Sequence, residues 1–482
     1  MKKTITLLDE VNCQFDGFTR SEISKISECV SYLPEGYFQM AAYKLGNVDA
    51  CKERLMTPEG VTFIYLIPEI LDYMDLIGFN TDAVELVDER PPVPDLDIPL
   101  VDENFLLEET GFPLRPHQQE GINAVIQGRK GILEYATSSG KTLCTVGISK
   151  AFDGILKSLV IVPSEALVHQ TYEDYAKTNL NAIALTKKIK PAKRAQAFKD
   201  HDHVIITSKL LANCLEHVDG EQYVVMLDEC HVNGPILLDA LRFELGNCPI
   251  RVGMTATMPT HELKNVKTKA TIGGDVLSEV TTKFLSDESM VSSSNIEVIT
   301  IDHPEIDDVS NGGDIEWTWD LESHYTGSNV DRIDAIASHI ESLPKTNTLI
   351  LCHAAVGKMM SDRLGSDLIV DETPTSERKE MFTKFDDSDY TLVASFGTSG
   401  TGLSINRIFR VILIDVGKNE TYIKQSIGRG LRLDGDRNEV EIIDISSNTK
   451  YAKKHRKSRI KVYERDEYNY FNSETTITVK EA

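Results

Sequence analysis

Residues 134–144 read EYATSSGKTLC, and the run GILEYA (131–136) that leads into them is apolar enough for a buried strand. A loop whose backbone N–H groups wrap a phosphate needs small residues, and Thr137, Ser138, Ser139 and Gly140 supply them. Lys141 follows with reach to the β and γ phosphates. The Thr142 hydroxyl stands where it ligates Mg²⁺ at the start of a helix, TLCTVGISKAF (142–152). Tyr135 occupies the place where the strict GxxxxGK[ST] pattern has its first glycine. The strand–loop–helix setting therefore carries the reading: an α/β fold that binds a nucleoside triphosphate at the carboxyl edge of a parallel sheet.

The same edge explains a second stretch, VVMLDECHVNG (224–234), in which an apolar strand runs straight into Asp228 and Glu229. Two adjacent carboxylates repel each other and are costly to bury. A strand surfacing into a polar loop is the bland account. Nucleotide hydrolysis is the sharper one, with Asp228 holding Mg²⁺ and Glu229 orienting and deprotonating the attacking water. The metal and the phosphates then give both acids a reason to stay ionised.

The chain has 482 residues, room for two to four domains, and its 41% apolar and 26% charged content is ordinary for a globular protein. No apolar run approaches a membrane span, and MKKTITLLDEV is too short and too acidic for a signal peptide. The eight cysteines form no CxxC pair, so neither a zinc site nor a disulfide framework is expected, and a reducing cytoplasm is the default. A formal charge of −24 opposes non-specific attraction to nucleic acid. Positive charge is local, in KKIKPAKR (187–194) and KYAKKHRKSRIK (450–461).

Four prolines in RPPVPDLDIP (90–99) mark a linker. Residues 1–89 read as a small α+β domain, with a strand in VTFIYLI (61–67) and helices in SEISKISECVSYL (21–33) and PEILDYMDLIGF (68–79). Residues 90–110 form a proline-rich acidic linker. Short continuous apolar runs then suit parallel strands covered on both faces: LVIVP (159–163), HVIITS (203–208), YVVML (223–227) and IRVGMTA (250–256). The rhythm returns in NTLILCH (347–353), TLVASF (391–396), VILIDV (411–416) and VEIIDI (440–445), which implies a second α/β domain. The boundaries expected are 111–285 and 286–445, followed by a basic C-terminal tail, 446–482. Residues 291–328 read as a connector or insertion with a short β element.

In QSIGRGLR (425–432), Arg429 and Arg432 lie three apart on an expected helix, and Gln425 opens the same word. Paired guanidinium groups stabilise charge on a transferred phosphoryl group. Together these words resemble superfamily 2 helicases and translocases, over roughly residues 111–435. LRPHQQEGI (114–122) is similar to the family's adenine-side motif, DECH (228–231) to its Walker B box, TAT (255–257) to its coupling motif, and SFGTSGTGLS (395–404) to the motif that touches nucleotide and strand. The wording of the last motif and of QSIGRGLR is closest to DNA-directed members, the phage recombination helicases among them, and residues 36–79 resemble the small N-terminal domain of those phage enzymes.

The resemblance implies two RecA-like parallel-sheet domains in tandem, preceded by the small α+β domain, with ATP and Mg²⁺ between the lobes. It places Arg115, Gln118 (as base reader) and Gly402 on the nucleotide. Pro163, Ser164, Thr207, Ser208, His353 and Thr398 fall on the nucleic-acid backbone, and His231, Thr255 and Thr257 on the coupling path. Ser404 stands where many members carry an acid. The implied activity is ATP-dependent unwinding or remodelling of branched DNA (forks, four-way junctions, R-loops) in replication, recombination or repair. The alternatives are a double-strand translocase that separates no strands, an RNA helicase, or an ATP-dependent clamp that turns over little.

Overall fold

The computed structural model describes residues 2–92, 96–231, 234–303, 306, 316–386, 389–399, 407–431 and 438–479. The chain divides into two compact units, residues 1–135 with 140–279, and residues 136–139 with 280–482.

The first unit begins with a mixed sheet of β1 (Thr4–Leu7), β2 (Asn12–Asp16), β3 (Val61–Phe63) and β4 (Glu85–Asp88), in the order β3-β2-β1-β4. Its main sheet contains β5 (Lys130–Tyr135), β6 (Lys157–Val162), β7 (Ala182–Leu185), β8 (His203–Thr207), β9 (Tyr223–Asp228), β10 (Ile250–Thr255) and β11 (Val276–Val280). These seven are parallel, in the order β11-β5-β10-β9-β6-β8-β7. Helices α1 (Pro116–Gly128), α2 (Lys141–Phe152), α3 (Glu165–Tyr175) and α4 (Glu262–Ile272) belong to the same unit. Every residue of β8 and β10 is buried, which is why these strands read as unbroken apolar runs.

The N-terminal residues share a core with this unit. Leu263 and Ala270 of α4 lie in one apolar cluster with Ile5, Phe15, Ile26 and Leu66. Polar ties add to it: Lys130 pairs with Glu10, and the Arg242 guanidinium sits 3.9 Å over the Phe63 ring while donating to Asn12 Oδ1 at 2.7 Å. The expected linker is no free spacer either. Val101 exchanges hydrogen bonds with the Asn123 side chain of α1, at 2.8 and 3.0 Å, and Leu106 is fully buried.

The second unit holds another all-parallel sheet, with β12 (Ser293–Asp302), β13 (Thr348–Cys352), β14 (Asp367–Ile369), β15 (Thr391–Ser395), β16 (Arg410–Ile414), β17 (Glu439–Ser447) and β18 (Asn469–Thr478). The order is β14-β15-β13-β16-β17-β12-β18. Its helices include α5 (Trp319–Ser328), α6 (Val330–Ser342), α7 (Ala354–Leu364), α8 (Glu420–Gly430) and α9 (Lys450–Arg465). All eight apolar runs singled out in the sequence are strands, and the fold class is the one expected.

Four local expectations are corrected. Within 291–328 lies β12, a ten-residue interior strand flanked by β17 and β18. The basic tail is helix α9 followed by edge strand β18, both part of the second unit. VTFIYLI is strand only to Phe63, because Pro68 sits in the first turn of a helix over Ile67–Leu76. The helix expected over 21–33 stops at Ile26, where Ser27 Oγ bonds the Ser24 carbonyl and offers the chain an exit.

Helix α9 is locked to its sheet by charge. Arg459 and Asp444 are 1% and 0% exposed and meet through two hydrogen bonds of 2.8 and 2.9 Å, while Tyr463 donates to Asp444 at 2.9 Å. Arg459 also donates to the Val416 carbonyl at 2.9 Å. Removing one partner of such a pair strands the other charge in the core. Arg459→Met alone is expected to destabilise the second unit by ~3–5 kcal/mol, and Arg459→Met with Asp444→Leu by much less. Both tryptophans, Trp317 and Trp319, fall in this unit, so urea unfolding followed by tryptophan emission reads it selectively.

Candidate active site

Strand β5 ends at Tyr135, and the loop Ala136–Gly140 turns the chain into α2. Ser138 and Gly140 take left-handed backbone angles, φ 68° and 88°, which fold the loop tightly around its own N–H groups. Gly140 has a second reason to lack a side chain, since a Cβ there would lie 2.2 Å from the Gln118 amide nitrogen. Gln118 is itself held by the Arg115 backbone N–H, which donates to its Oε1 at 2.9 Å. Arg115 and Gln118 thus border the phosphate loop, where the sequence places the adenine side.

Tyr135 replaces the first loop glycine without disturbing this. Its side chain points into the core, where the hydroxyl donates to the His117 carbonyl at 2.5 Å and lies 3.1 Å from Ser278 Oγ. The room comes from Gly121, whose Cβ would meet that hydroxyl at 2.3 Å. Lys141, the first residue of α2, turns its ammonium back to donate to the Tyr135 carbonyl at 2.9 Å. Thr142 is half-buried beside it, and Ser139 is fully buried.

Asp228 closes β9, and its Oδ1 accepts the Glu229 N–H at 3.0 Å. Burial, then the Glu229 charge, pushes its carboxyl well above the carboxylate range, and Lys141 opposes the shift. A divalent cation would hold Asp228 ionised. Among the described residues no group of three or more His, Cys, Asp or Glu is placed to bind a metal. Mg²⁺ takes one or two carboxylates and completes its shell with water and phosphate oxygens. Asp228 and Thr142 are the donors available for it.

Glu229 has φ 50°, a left-handed angle that a non-glycine residue seldom adopts, and its Oε2 is buried without a hydrogen bond. The ring atom His231 Nδ1 lies 3.3 Å from that oxygen and 2.7 Å from Thr255 Oγ1. The Thr255 hydroxyl donates to the Thr257 carbonyl at 2.9 Å, so the proton between His231 and Thr255 sits on Nδ1. Burial, and then Lys141, lowers the His231 pKa to about 4, which keeps the ring neutral near pH 7. Glu229, His231, Thr255 and Thr257 therefore form one connected polar path.

The remaining residues are placed as follows. Ser164 and Thr207 accept from Leu167 N and Leu210 N, each at 3.3 Å, and cap α3 and the short helix Ser208–Leu211. Pro163 is exposed and Ser208 half-buried. In the second unit His353 is exposed ahead of α7, its ring 5.3 Å from Phe396. Gln425 is buried and Arg429 half-buried on α8. Thr398 lies in the short helix Phe396–Ser399. Gly402, Ser404 and Arg432 lie outside the described residues. Sequence reading missed Arg332 and Asp415, a buried ion pair at the carboxyl edge of the second sheet, extended by Arg332 donating to Ser447 at 3.1 Å. Arg332 was hidden in an ordinary amphipathic helix, α6.

A family profile described as the res subunit of type III restriction enzymes matches residues 111–260, and one described as the helicase conserved C-terminal domain matches residues 331–434. The two together span just over half of the chain, which belongs to the superfamily 2 helicases, ATP-dependent motor enzymes. Along its length it is similar to the ATP-dependent DNA helicase uvsW of Enterobacteria phage T4, with 22% identity over 93% of this chain and 95% of the phage protein. The DNA helicase Hel308 of Thermoplasma acidophilum is 28% identical over 27% of this chain and 20% of its own. The restriction-modification enzyme LlaBIII, solved bound to DNA, superposes with a TM-score of 0.57 at 16% identity, over 76% of this chain and 31% of that one, and shares the fold.

Glu229→Gln keeps the shape of the side chain and removes its capacity to take a proton. It is expected to retain nucleotide binding and to lose about 10²–10⁴-fold in ATP turnover, the share a general base supplies. Phosphate release at saturating ATP, alongside binding of a fluorescent ATP analogue, checks both halves.

Proposed function

We propose that this protein is an ATP-dependent DNA helicase that tracks on DNA and unwinds or remodels branched structures: forks, four-way junctions and R-loops. The observation that carries the proposal is that Lys141, directly after the phosphate loop, acts electrostatically on Asp228 beside Glu229, in a chain aligned almost end to end with a phage DNA helicase. Lys141 would hold the β and γ phosphates, Asp228 and Thr142 the Mg²⁺, and Glu229 would take the proton of the attacking water. Arg429 and Arg432 would supply the positive charge that the transferred phosphoryl group needs. The path from Glu229 through His231 to Thr255 and Thr257 would report the state of the nucleotide to the rest of the unit.

The branched substrate is supported by the N-terminal residues. A motor with a single tracking site cannot tell a fork from a plain strand; it needs a second contact at a fixed distance from the first. The shared core of the N-terminal sheet and α4 provides such a rigid mount. Exposed Phe38, Met40, Tyr43 and Leu45 lie on that module, available to a second DNA arm.

The test sets ATP turnover and strand separation side by side on single-stranded DNA, blunt duplex, a fork, a four-way junction and matched RNA, with Glu229→Gln as control. Forks or junctions are expected to be unwound by the parent protein and left intact by the variant. ATP turnover without strand separation on any substrate would leave a translocase or a switch, and a preference for the RNA substrates would leave an RNA helicase.

A further inference from the structure

Of the two tryptophans, Trp317 is 7% exposed and its indole N–H donates to Glu322 at 2.7 Å. Trp319 is 45% exposed. Its ring packs against His455 at 4.9 Å and Tyr451 at 5.8 Å, centroid to centroid, both on α9. An indole braced by two rings at steep angles, 74° and 58°, that keeps 45% of its surface exposed offers a fixed surface for stacking. Burial, aided by Arg459 and Lys418, lowers the His455 pKa and so favours the neutral form of the ring packed against Trp319.

Helix α9 sorts its cations by direction. The arginines are engaged: Arg459 with Asp444, Arg456 with Thr300 at 2.8 Å, Arg465 with Glu420 at 3.1 Å. Lys454, Lys457 and Lys461 are exposed at helical spacing and have no ion-pair partner among the described residues. Their stripe is about 10 Å long. Lys450 and Lys454 lie 5.6 and 5.5 Å over the Tyr451 ring, so the stripe starts at the aromatic platform. Glu322 joins the two halves, since its carboxylate accepts from Trp317 and from the backbone N–H groups of Tyr451 and Ala452, at 2.9 and 2.6 Å. Glu316 and Asp320 are exposed beside Trp319, and Glu464, which accepts from the Tyr470 hydroxyl, is exposed one turn beyond Lys461 at the far end of the stripe.

We propose that Trp319 with the Lys454–Lys457–Lys461 stripe is a binding site for single-stranded nucleic acid, lying apart from the residues of the helicase motifs: a base stacks on Trp319 and the adjoining phosphates lie along the lysines. The arrangement is the one that sequence-tolerant strand binding uses, a stacking ring beside a positive track. It also supplies a local attraction to phosphate on a chain with a formal charge of −24. The site rests on the reading of DNA as substrate and adds a second hold on the tracking strand.

The experiment titrates the full chain with oligothymidylate, reading tryptophan emission and, on the same samples, anisotropy of a labelled strand. Saturable quenching is expected in the parent protein and its loss in Trp319→Phe, where buried Trp317 remains. Trp319→Ala is expected to weaken binding roughly 5- to 100-fold, and Lys454→Glu with Lys457→Glu to lower the slope of log K against log salt by about 1.4. ATP turnover without DNA should be unchanged in all three. Binding by anisotropy with unaltered emission overturns this site and leaves the helicase reading standing. No binding at all overturns both. Equal quenching by polyglutamate would make the face a dock for acidic peptide and overturn the proposal.

Discussion

A strand buried on both faces can carry charge only where it ends. In the first sheet β8 and β10 are wholly buried and β9 is buried up to Asp228; Arg251, near the amino end of β10, is committed to the Leu241 and Thr271 carbonyls, so the ionisable groups open to a ligand gather at the carboxyl edge. There the strands stop, backbone N–H groups become available, and carboxylates can face a cation or water. Lys141, Asp228, Glu229, His231 and Thr255 all occupy that edge, and three unusual features gather with them: the left-handed angle at Glu229, the raised pKa of Asp228, and the Glu229 Oε2 that lacks a hydrogen bond. Strain and an unsatisfied carboxylate oxygen at the same edge mark where function opposes stability.

The second unit meets the same constraint differently. Its buried charges are paired, Arg332 with Asp415 and Arg459 with Asp444, and these pairs position helices α6 and α9. One basic helix then performs two tasks. Arg456 and Arg459, with planar forks that satisfy several acceptors at once, face inward. Lys454, Lys457 and Lys461, strongly hydrated and flexible, face out. A sum over the chain conceals this, because net charge averages a structural set of cations with a free one.

Much of the architecture was legible in the sequence, because all-parallel sheets leave a blunt signature: each of the eight short apolar runs is a strand. The elements that escaped were those whose composition is set by exposure. Strand β18 (NYFNSETTIT) lies at the sheet edge with most of its residues exposed, so its polar composition reads as a loop. Strand β12 (SSNIEVITID) begins inside the serine run 292–294 and opens on polar residues, which masks an interior strand. The basic stretch at 450–461 was visible as charge, yet its division into buried and open cations depends on Asp444, which is distant in sequence.

By itself the sequence determined the class of chemistry: small residues before Gly140-Lys141-Thr142 admit a phosphate, and an apolar strand ending in Asp228-Glu229 presents two acids, because both are local properties of strand, loop and helix. Only the tertiary structure decided what each group meets. Tyr135 is harmless in the loop because Gly121 makes room for its hydroxyl. Ser164 and Thr207 turn out to cap helices. His231 reaches Thr255 because β9 and β10 are neighbours in the sheet. Contacts of this kind join residues far apart in the chain, and their distances are set by packing, which no local pattern encodes.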